Sequence, residues 1–354
     1  MKQHIPGDAI QYTRPDICQL VRQGYYSVDM HIHTTHSDGV TRVGDLLRYA
    51  KARKTGVAIT DHNEISGSLE ALSGNPDVLI IPGIELETKE GPHLLFYFYT
   101  PGEMEDFFKV FAVKREGHTP GIFKNLPVAE CLYLAEPFDC IRVAAHPFGY
   151  YGINRGVLKC VEKQMLPGVL DHIDGIEVIC GGMMHNLNLR AIAWARDNDI
   201  AFTGGSDAHL LSDVGNVVTA VKAESAEEFL DGIRKRENKV IGKPGGYIAK
   251  GATAGVIAWS FVPYSVTRLG RYYSVHKCRA SHMVSSYRRR FARLYQEKEG
   301  GKEDWKISEE REKSRDTDCF ILIFNGRAAI RSAVSSEHSF RSCRKYSFSS
   351  FAVS

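Results

Sequence analysis

Nine residues in the first 245 are candidate ligands for divalent cations: His31, His33, Asp38, His62, Glu85, His93, His146, Asp207 and His209. Each lies within or just after an apolar stretch that reads as a strand. Residues i and i+2 of a strand share a face, so His31/His33 and Asp207/His209 are each expected to aim two ligands at one point. Imidazole and carboxylate donors without thiolate suit Zn²⁺, Mn²⁺ or Fe²⁺, and nine donors exceed what one four- to six-coordinate ion uses. The predicted cofactor is therefore two or three divalent ions. A single histidine at a strand end is ordinarily a hydrogen-bonded residue. The set is informative because clustered buried charges are costly unless a cation joins them.

Such residues need elements that end in one place. The segment 25–32 (YYSVDMHI) alternates and is rich in β-formers, which predicts a strand delivering His31 and His33 to its end. Helical spacing of Leu46, Leu47 and Ala50 predicts a helix over 41–54, with Gly56 as its stop. A strand over 57–60 then carries Asp61, His62 and Asn63. The alternation continues with a helix near 64–72, strands at 78–87 and 93–99, and a helix over 103–115. Strands at 141–147 and 174–179, a helix over 185–198, a strand over 200–209, a closing strand at 217–223 and a helix over 225–236 complete it. Repeated β and α units with ligands at strand ends predict an α/β fold, a parallel barrel or sheet with the site on its C-terminal edge. This unit is expected to span 25–245, after a lead-in of 1–24.

The chain has 354 residues, 43% apolar and 25% charged, which excludes fibrous and wholly disordered classes. Its net charge of +3 hides a split: 25 basic against 32 acidic residues in 1–245, and 20 against 10 in 246–354. The extension 246–299 is basic and aromatic and is expected to be partly helical. The tail 300–354, with nine Ser in its last 25 residues, is expected to be disordered. Arg288–Arg290 with Tyr272, Tyr273 and Tyr287 suggest a weak contact with nucleic acid or an anionic membrane, against the plainer alternative of a solvated face. The eight Cys form no CxxC pair, and no basic leader followed by an apolar run opens the chain, so a cytoplasmic location is expected. The longest apolar stretch, 252–262, is 11 residues against roughly 20 for a bilayer span.

The ordered motifs DMHIHTTHSDG (29–39), TDHN (60–63), GIE (83–85), PHLL (92–95), AHPF (145–148) and GSDAH (205–209) resemble the PHP (polymerase and histidinol phosphatase) family over roughly residues 25–245. The resemblance implies a distorted (β/α)7 barrel, a trinuclear metal site at the C-terminal rim of the strands and hydrolysis of phosphoesters. It implies that His31, His33, Glu85 and Asp207 hold one ion and that Glu85 bridges to a second with His93 and His146. Asp38, His62 and His209 would hold the third. Asp38 and His93 place the chain nearer the nucleotide phosphoesterase branch. His36 departs from that branch, which often has a small residue there, and is read as exposed or as a neighbour of the ligands.

The chemistry expected of such a site is attack on phosphorus by a hydroxide bridging two ions, with no Ser or Cys nucleophile. Glu85 and Asp207 are the catalytic carboxylates of this scheme. Arg155, in the loop 149–156, is the candidate phosphate clamp, since a guanidinium binds phosphate bidentately; a solvent-facing loop arginine is the alternative. The expected substrate is a small phosphomonoester, or a nucleotide or oligonucleotide phosphate ester. Alternatives are a histidinol-phosphatase-like activity, a metal-dependent amidohydrolase and a non-catalytic regulatory module. No Lys stands where an amidohydrolase commonly carries a carbamylated one. Asp61 is read as orienting a ligand, and Cys180 as packing or part of a tight turn.

Overall fold

The computed structural model describes residues 6–74, 77–114, 126–149, 156–245 and 255. In chain order the elements are β1 (Ile10–Gln11), α1 (Ile17–Arg22), β2 (Tyr26–Ile32), α2 (Val43–Arg53), β3 (Gly56–Ile59), α3 (Ser66–Ser73), β4 (Ile80–Glu87) and β5 (His93–Phe98). There follow α4 (Pro101–Lys114), α5 (Val128–Ala135), β6 (Cys140–Ala144), α6 (Val157–Glu162), β7 (Gly175–Cys180), α7 (His185–Asn198), β8 (Ala201–Gly205), β9 (Val217–Val221), α8 (Ala226–Arg234) and β10 (Lys239–Gly242).

The strands form one ten-stranded sheet in the order β1-β10-β9-β2-β3-β4-β5-β6-β7-β8. It is mixed rather than wholly parallel. The pairs β2/β3, β3/β4, β6/β7 and β7/β8 are parallel, as the βα alternation requires. Strand β5 runs antiparallel to both β4 and β6, because only the short loop 88–92 separates it from β4. The expected closing strand, β9, is antiparallel to β2 and to β10.

The sheet curls into an incomplete barrel. The Tyr97 hydroxyl on β5 donates to the Met30 carbonyl on β2, 2.7 Å away, although three strand spacings separate the two in the sheet. Just beyond β8, Ala208 N donates to His31 O at 3.2 Å and His33 N donates to Ala208 O at 2.9 Å, tying the end of β8 to the end of β2. Gly205 permits this approach: a Cβ there would stand 2.4 Å from His31 Cβ. The sequence pattern explains the packing. Val28, Met30, Ala58, Ile81, Leu95, Tyr97, Ile141 and Val143 form a core cluster with Phe229, Leu230 and Ile233 of α8. Helices α2 and α3 cover Ile32, Val57 and Ile59 with Val43, Leu46, Ala50 and Ala71. Helix α4 packs Phe107 on Phe96 of β5 at 5.2 Å between ring centres, and burying each such side chain contributes about 2–3 kcal/mol.

Two local expectations need correction. Lys54, in the left-handed conformation (φ 55°), ends α2, and Gly56 instead opens β3. Strand β8 stops at Gly205, and Asp207 is left-handed (φ 53°), so Asp207 and His209 are placed by a turn and not by strand alternation. The extension 246–299 and the tail 300–354 lie outside the described residues, Gly255 apart. No helix among the described residues is long and apolar enough to cross a membrane.

Candidate metal centre

Glu85, on β4 and 1% exposed, is the hub of the cluster. Its Oε2 lies 3.3 Å from His31 Nε2, 3.3 Å from His33 Nε2 and 3.1 Å from His62 Nδ1. Its Oε1 lies 3.1 Å from both His93 Nδ1 and His146 Nε2. His31 is on β2, His33 one residue past it, His62 just after β3, His93 at the start of β5 and His146 two residues past β6. Strand ends from much of the curled sheet thus converge on one carboxylate.

Asp207 Oδ1 stands 3.2 Å from His33 Nε2 and 3.6 Å from His31 Nε2. Asp38 Oδ2 stands 3.2 Å from His209 Nε2 and 3.6 Å from His62 Nε2, while its Oδ1 is 3.6 Å from His33 Nδ1. The His209 Nδ1–H is placed to donate to the Asp207 carbonyl at 3.0 Å, which turns Nε2 toward Asp38. All nine expected ligands are therefore gathered. Four sets have donor atoms close enough to share an ion: His33, Asp38, His62 and His209; His31, His33 and Asp207; His62, Glu85 and His93; and His31, Glu177 and Cys180, the last drawing on two residues outside the expected nine. Compared with the implied grouping, His33 joins the Asp38 set and His62 reaches the Glu85 set.

The donor chemistry fits a divalent cation. His31 Nε2, both nitrogens of His33, His62 Nδ1 and Glu85 Oε2 are buried without a hydrogen-bond partner. Leaving a buried polar atom unsatisfied costs about 1–3 kcal/mol. Two donors each ~2.1 Å from a tetrahedral ion stand ~3.4 Å apart, close to the 3.2–3.6 Å separations among His31, His33, Glu85 and Asp207. The described residues thus offer several clusters able to hold divalent metals.

Electrostatics sharpen this. Burial opposes ionisation of Glu85, yet His62, His31 and His93 outweigh it and hold its carboxyl well below the usual range. Burial of Asp207 is likewise outweighed, by His31, by His33, whose Nε2 stands 3.2 Å from Oδ1, and by His209. Asp38 is held low against burial by His62 and His209. Burial would lower His31 and His209, but Glu85, Glu177 and Asp207 raise the first well above its ordinary value and Asp38 lifts the second to about 9. His33 is pushed down to about 4 by burial and by its neighbours His209 and His62.

Around the cluster, Asp61 anchors the loop that carries Asp38. Its Oδ1 accepts from Thr34 N at 2.7 Å and Ser37 Oγ at 2.6 Å, and its Oδ2 from Thr34 Oγ1 at 2.7 Å. His36 turns away from the ligands toward α3, with Nδ1 2.7 Å from Ser66 Oγ and Nε2 2.8 Å from Glu70 Oε2. Cys180 is buried with its thiol 3.7 Å from Asp207 Oδ2. Asn188 of α7 clamps the Cys180 backbone, accepting from its N at 3.0 Å and donating to its O at 3.1 Å. Asp29, wholly buried and pushed up to about 6 by that burial, accepts from Ser206 N at 2.8 Å and Gly215 N at 2.7 Å and so braces the turn before Asp207. Sequence reasoning missed Asp29, Glu177 and Asn188; the signal available was a carboxylate or amide inside an otherwise apolar element. Arg155 lies outside the described residues.

Fold and site define an α/β protein with a buried centre of histidines and carboxylates built to take divalent metal. A family model described as PHP-associated matches residues 185–238, a stretch that includes Asp207 and His209. That match covers 54 of the chain's 354 residues. Among solved structures the chain is similar to a candidate metal-dependent phosphoesterase of Bifidobacterium adolescentis, at 18% identity over 63% of this chain and 98% of that one, TM-score 0.43. It is similar to a two-domain protein of Bacteroides vulgatus containing a predicted PHP-like metal-dependent phosphoesterase, at 16% identity over 66% and 68% of the chains, TM-score 0.45. It is also similar to a lesion-specific endonuclease of Pyrococcus furiosus, at 18% identity over 61% and 57%, TM-score 0.45. No curated protein matches the sequence.

Proposed function

We propose that the chain is a PHP-type metal-dependent phosphoesterase that hydrolyses a small phosphomonoester, or a nucleotide or oligonucleotide phosphate ester, at a trinuclear centre on the C-terminal rim of a distorted (β/α)7 barrel spanning residues 25–245. The convergence of five histidine nitrogens on the two oxygens of Glu85 carries this reading. His31, His33, Glu85 and Asp207 would hold one ion, Glu85, His93 and His146 a second, and Asp38, His62 and His209 a third. Bound Mn²⁺, Zn²⁺ or Fe²⁺ would supply a water made nucleophilic near neutral pH and charge stabilisation of the phosphoryl oxygens. The chain's own part is to fix these donors: Asp61 holds the Asp38 loop, Asp29 the turn before Asp207, and buried strands hold His31 and Glu85. Asp207 and Glu85 are both kept ionised, and once the histidines ligate as neutral rings these carboxylates leave negative charge that bound cations would offset before a phosphate is accepted. Arg155 is proposed as the clamp on the phosphate. The basic extension 246–299 is proposed to lend a weak contact to a polyanionic partner.

The test is a panel of phosphomonoesters, bisphosphonucleotides and short oligonucleotides assayed with Mn²⁺, Zn²⁺ and Fe²⁺. Release of inorganic phosphate marks a phosphatase, and release of nucleotides marks an exonuclease. Inertness toward every ester combined with amide hydrolysis would overturn the proposal.

A further inference from the structure

Strand β7 carries a glutamate in its middle, Glu177, between the buried residues Ile176 and Val178, and only 1% of it is exposed. A lone carboxylate in a buried parallel strand is expensive unless each oxygen is matched. Here the match reaches two other strands. Oε1 lies 3.1 Å from His31 Nδ1, and Oε2 accepts from the backbone N–H of His146 at 2.7 Å.

We propose that Glu177 is the positioning residue of the metal centre: one oxygen selects the ligating tautomer of His31 and the other pins the backbone that presents His146. A carboxylate only accepts, so the proton of a neutral His31 must sit on Nδ1. Nε2 then keeps its lone pair, and Nε2 is the atom that faces Glu85 Oε2 at 3.3 Å and Asp207 Oδ1 at 3.6 Å with no hydrogen-bond partner of its own. His146 needs holding for a different reason. Its φ of 26° is a conformation that non-glycine residues rarely adopt and that persists only when the surroundings over-determine it. The Glu177 oxygen fixes its N–H, the turn bond from Gly149 N to His146 O at 2.6 Å fixes its carbonyl, and the ring then reaches Glu85 Oε1 at 3.1 Å. A single side chain thereby couples donors of the two sites that Glu85 bridges.

This inference rests on the proposed metal centre only for which ring nitrogen faces an ion. It is tested on full-length protein with ¹⁵N-labelled histidine, the His31 signals being assigned through His31→Gln. In wild-type metal-free protein, at a pH alkaline enough for the His31 ring to be neutral, Nδ1 is expected to be protonated and Nε2 bare; added zinc should shift Nε2 and leave Nδ1 protonated. Glu177→Gln offers one acceptor and one donor where two acceptors are needed. With its oxygen on His146 N–H, its amide faces Nδ1 and drives the proton to Nε2. Zinc affinity should fall about 10- to 100-fold, and Glu177→Asp, which keeps both acceptors, should restore part of it. A bare Nδ1 in the wild type overturns the inference, and so does Glu177→Gln with unchanged zinc affinity and an unchanged His31 tautomer. If Glu177→Gln fails to fold, the wild-type spectrum alone decides. Wild-type protein that takes up no zinc while showing the protonated Nδ1 would overturn the metal centre and leave the tautomer assignment standing.

Discussion

Gly205→Ala tests how the curl of the sheet makes the site. The added Cβ would lie 2.4 Å from His31 Cβ and 2.6 Å from His31 N. Carbon atoms in contact sit about 3.5–4.0 Å apart, so β8 must retreat from β2 by roughly 1.2 Å. Overpacking of this kind costs about 1–3 kcal/mol. The backbone bonds Ala208 N to His31 O and His33 N to Ala208 O, now 3.2 and 2.9 Å, would stretch beyond use at about 0.5–1.5 kcal/mol each. The expected destabilisation is therefore roughly 2–6 kcal/mol, read as a lower midpoint in urea for the metal-free protein. The same retreat would open the 3.6 Å gap between His31 Nε2 and Asp207 Oδ1 beyond the ~4.2 Å that opposite donors on one ion can span. Metal stoichiometry should drop by at least one ion and turnover by about 100-fold. A variant with the wild-type midpoint and full metal content would refute the placement of β8 against β2.

Four further outcomes are expected. His33→Ala or Asp207→Ala should abolish phosphoester hydrolysis while circular dichroism still reports a folded protein; unchanged turnover would exclude the site. Metal uptake near pH 7.5 should release protons, because His31, His62 and His209 are raised in the metal-free protein, His209 to about 9, and must ligate as neutral rings. Titration calorimetry in buffers of different ionisation enthalpy measures the release, and none at all would contradict the clustering. The sign of the stability effect in metal-free protein is the reverse: the His209–Asp38 pair contributes fully below the unfolded value of about 6.5 and loses its contribution as pH rises through about 9. Deleting 300–354 should leave specific activity intact, and its collapse would give the tail a role in catalysis.

The histidines were legible in the sequence because few other signals place imidazoles at the ends of apolar runs, and helix α7 was legible to the residue from its 3.6-residue period. Other features depend on tertiary structure. The antiparallel courses of β5 and β9 follow from loop length and the available sheet edge, not from alternation. The left-handed turn at Asp207 is held by the bonds that the turn residue Ser206 and Gly215 give to Asp29, 177 or more residues away from its partners. Glu177 was hidden by its apolar flanks: only the fold shows that its two oxygens meet residues from β2 and from the loop after β6. Strand β10 and helices α5 and α6 are short and weakly periodic, so they escaped as well.

The central claim is that the Glu85-centred cluster binds divalent ions that the chain needs for phosphoester hydrolysis. Metal content should be measured by plasma mass spectrometry alongside turnover of a phosphomonoester and a phosphodiester, before chelation, after chelation and after re-addition of Mn²⁺, Zn²⁺ or Fe²⁺. Two or three ions per chain, with hydrolysis lost on chelation and restored on reloading, is the predicted result. Stoichiometric metal with no hydrolysis of either ester, or hydrolysis that persists without metal, would contradict it.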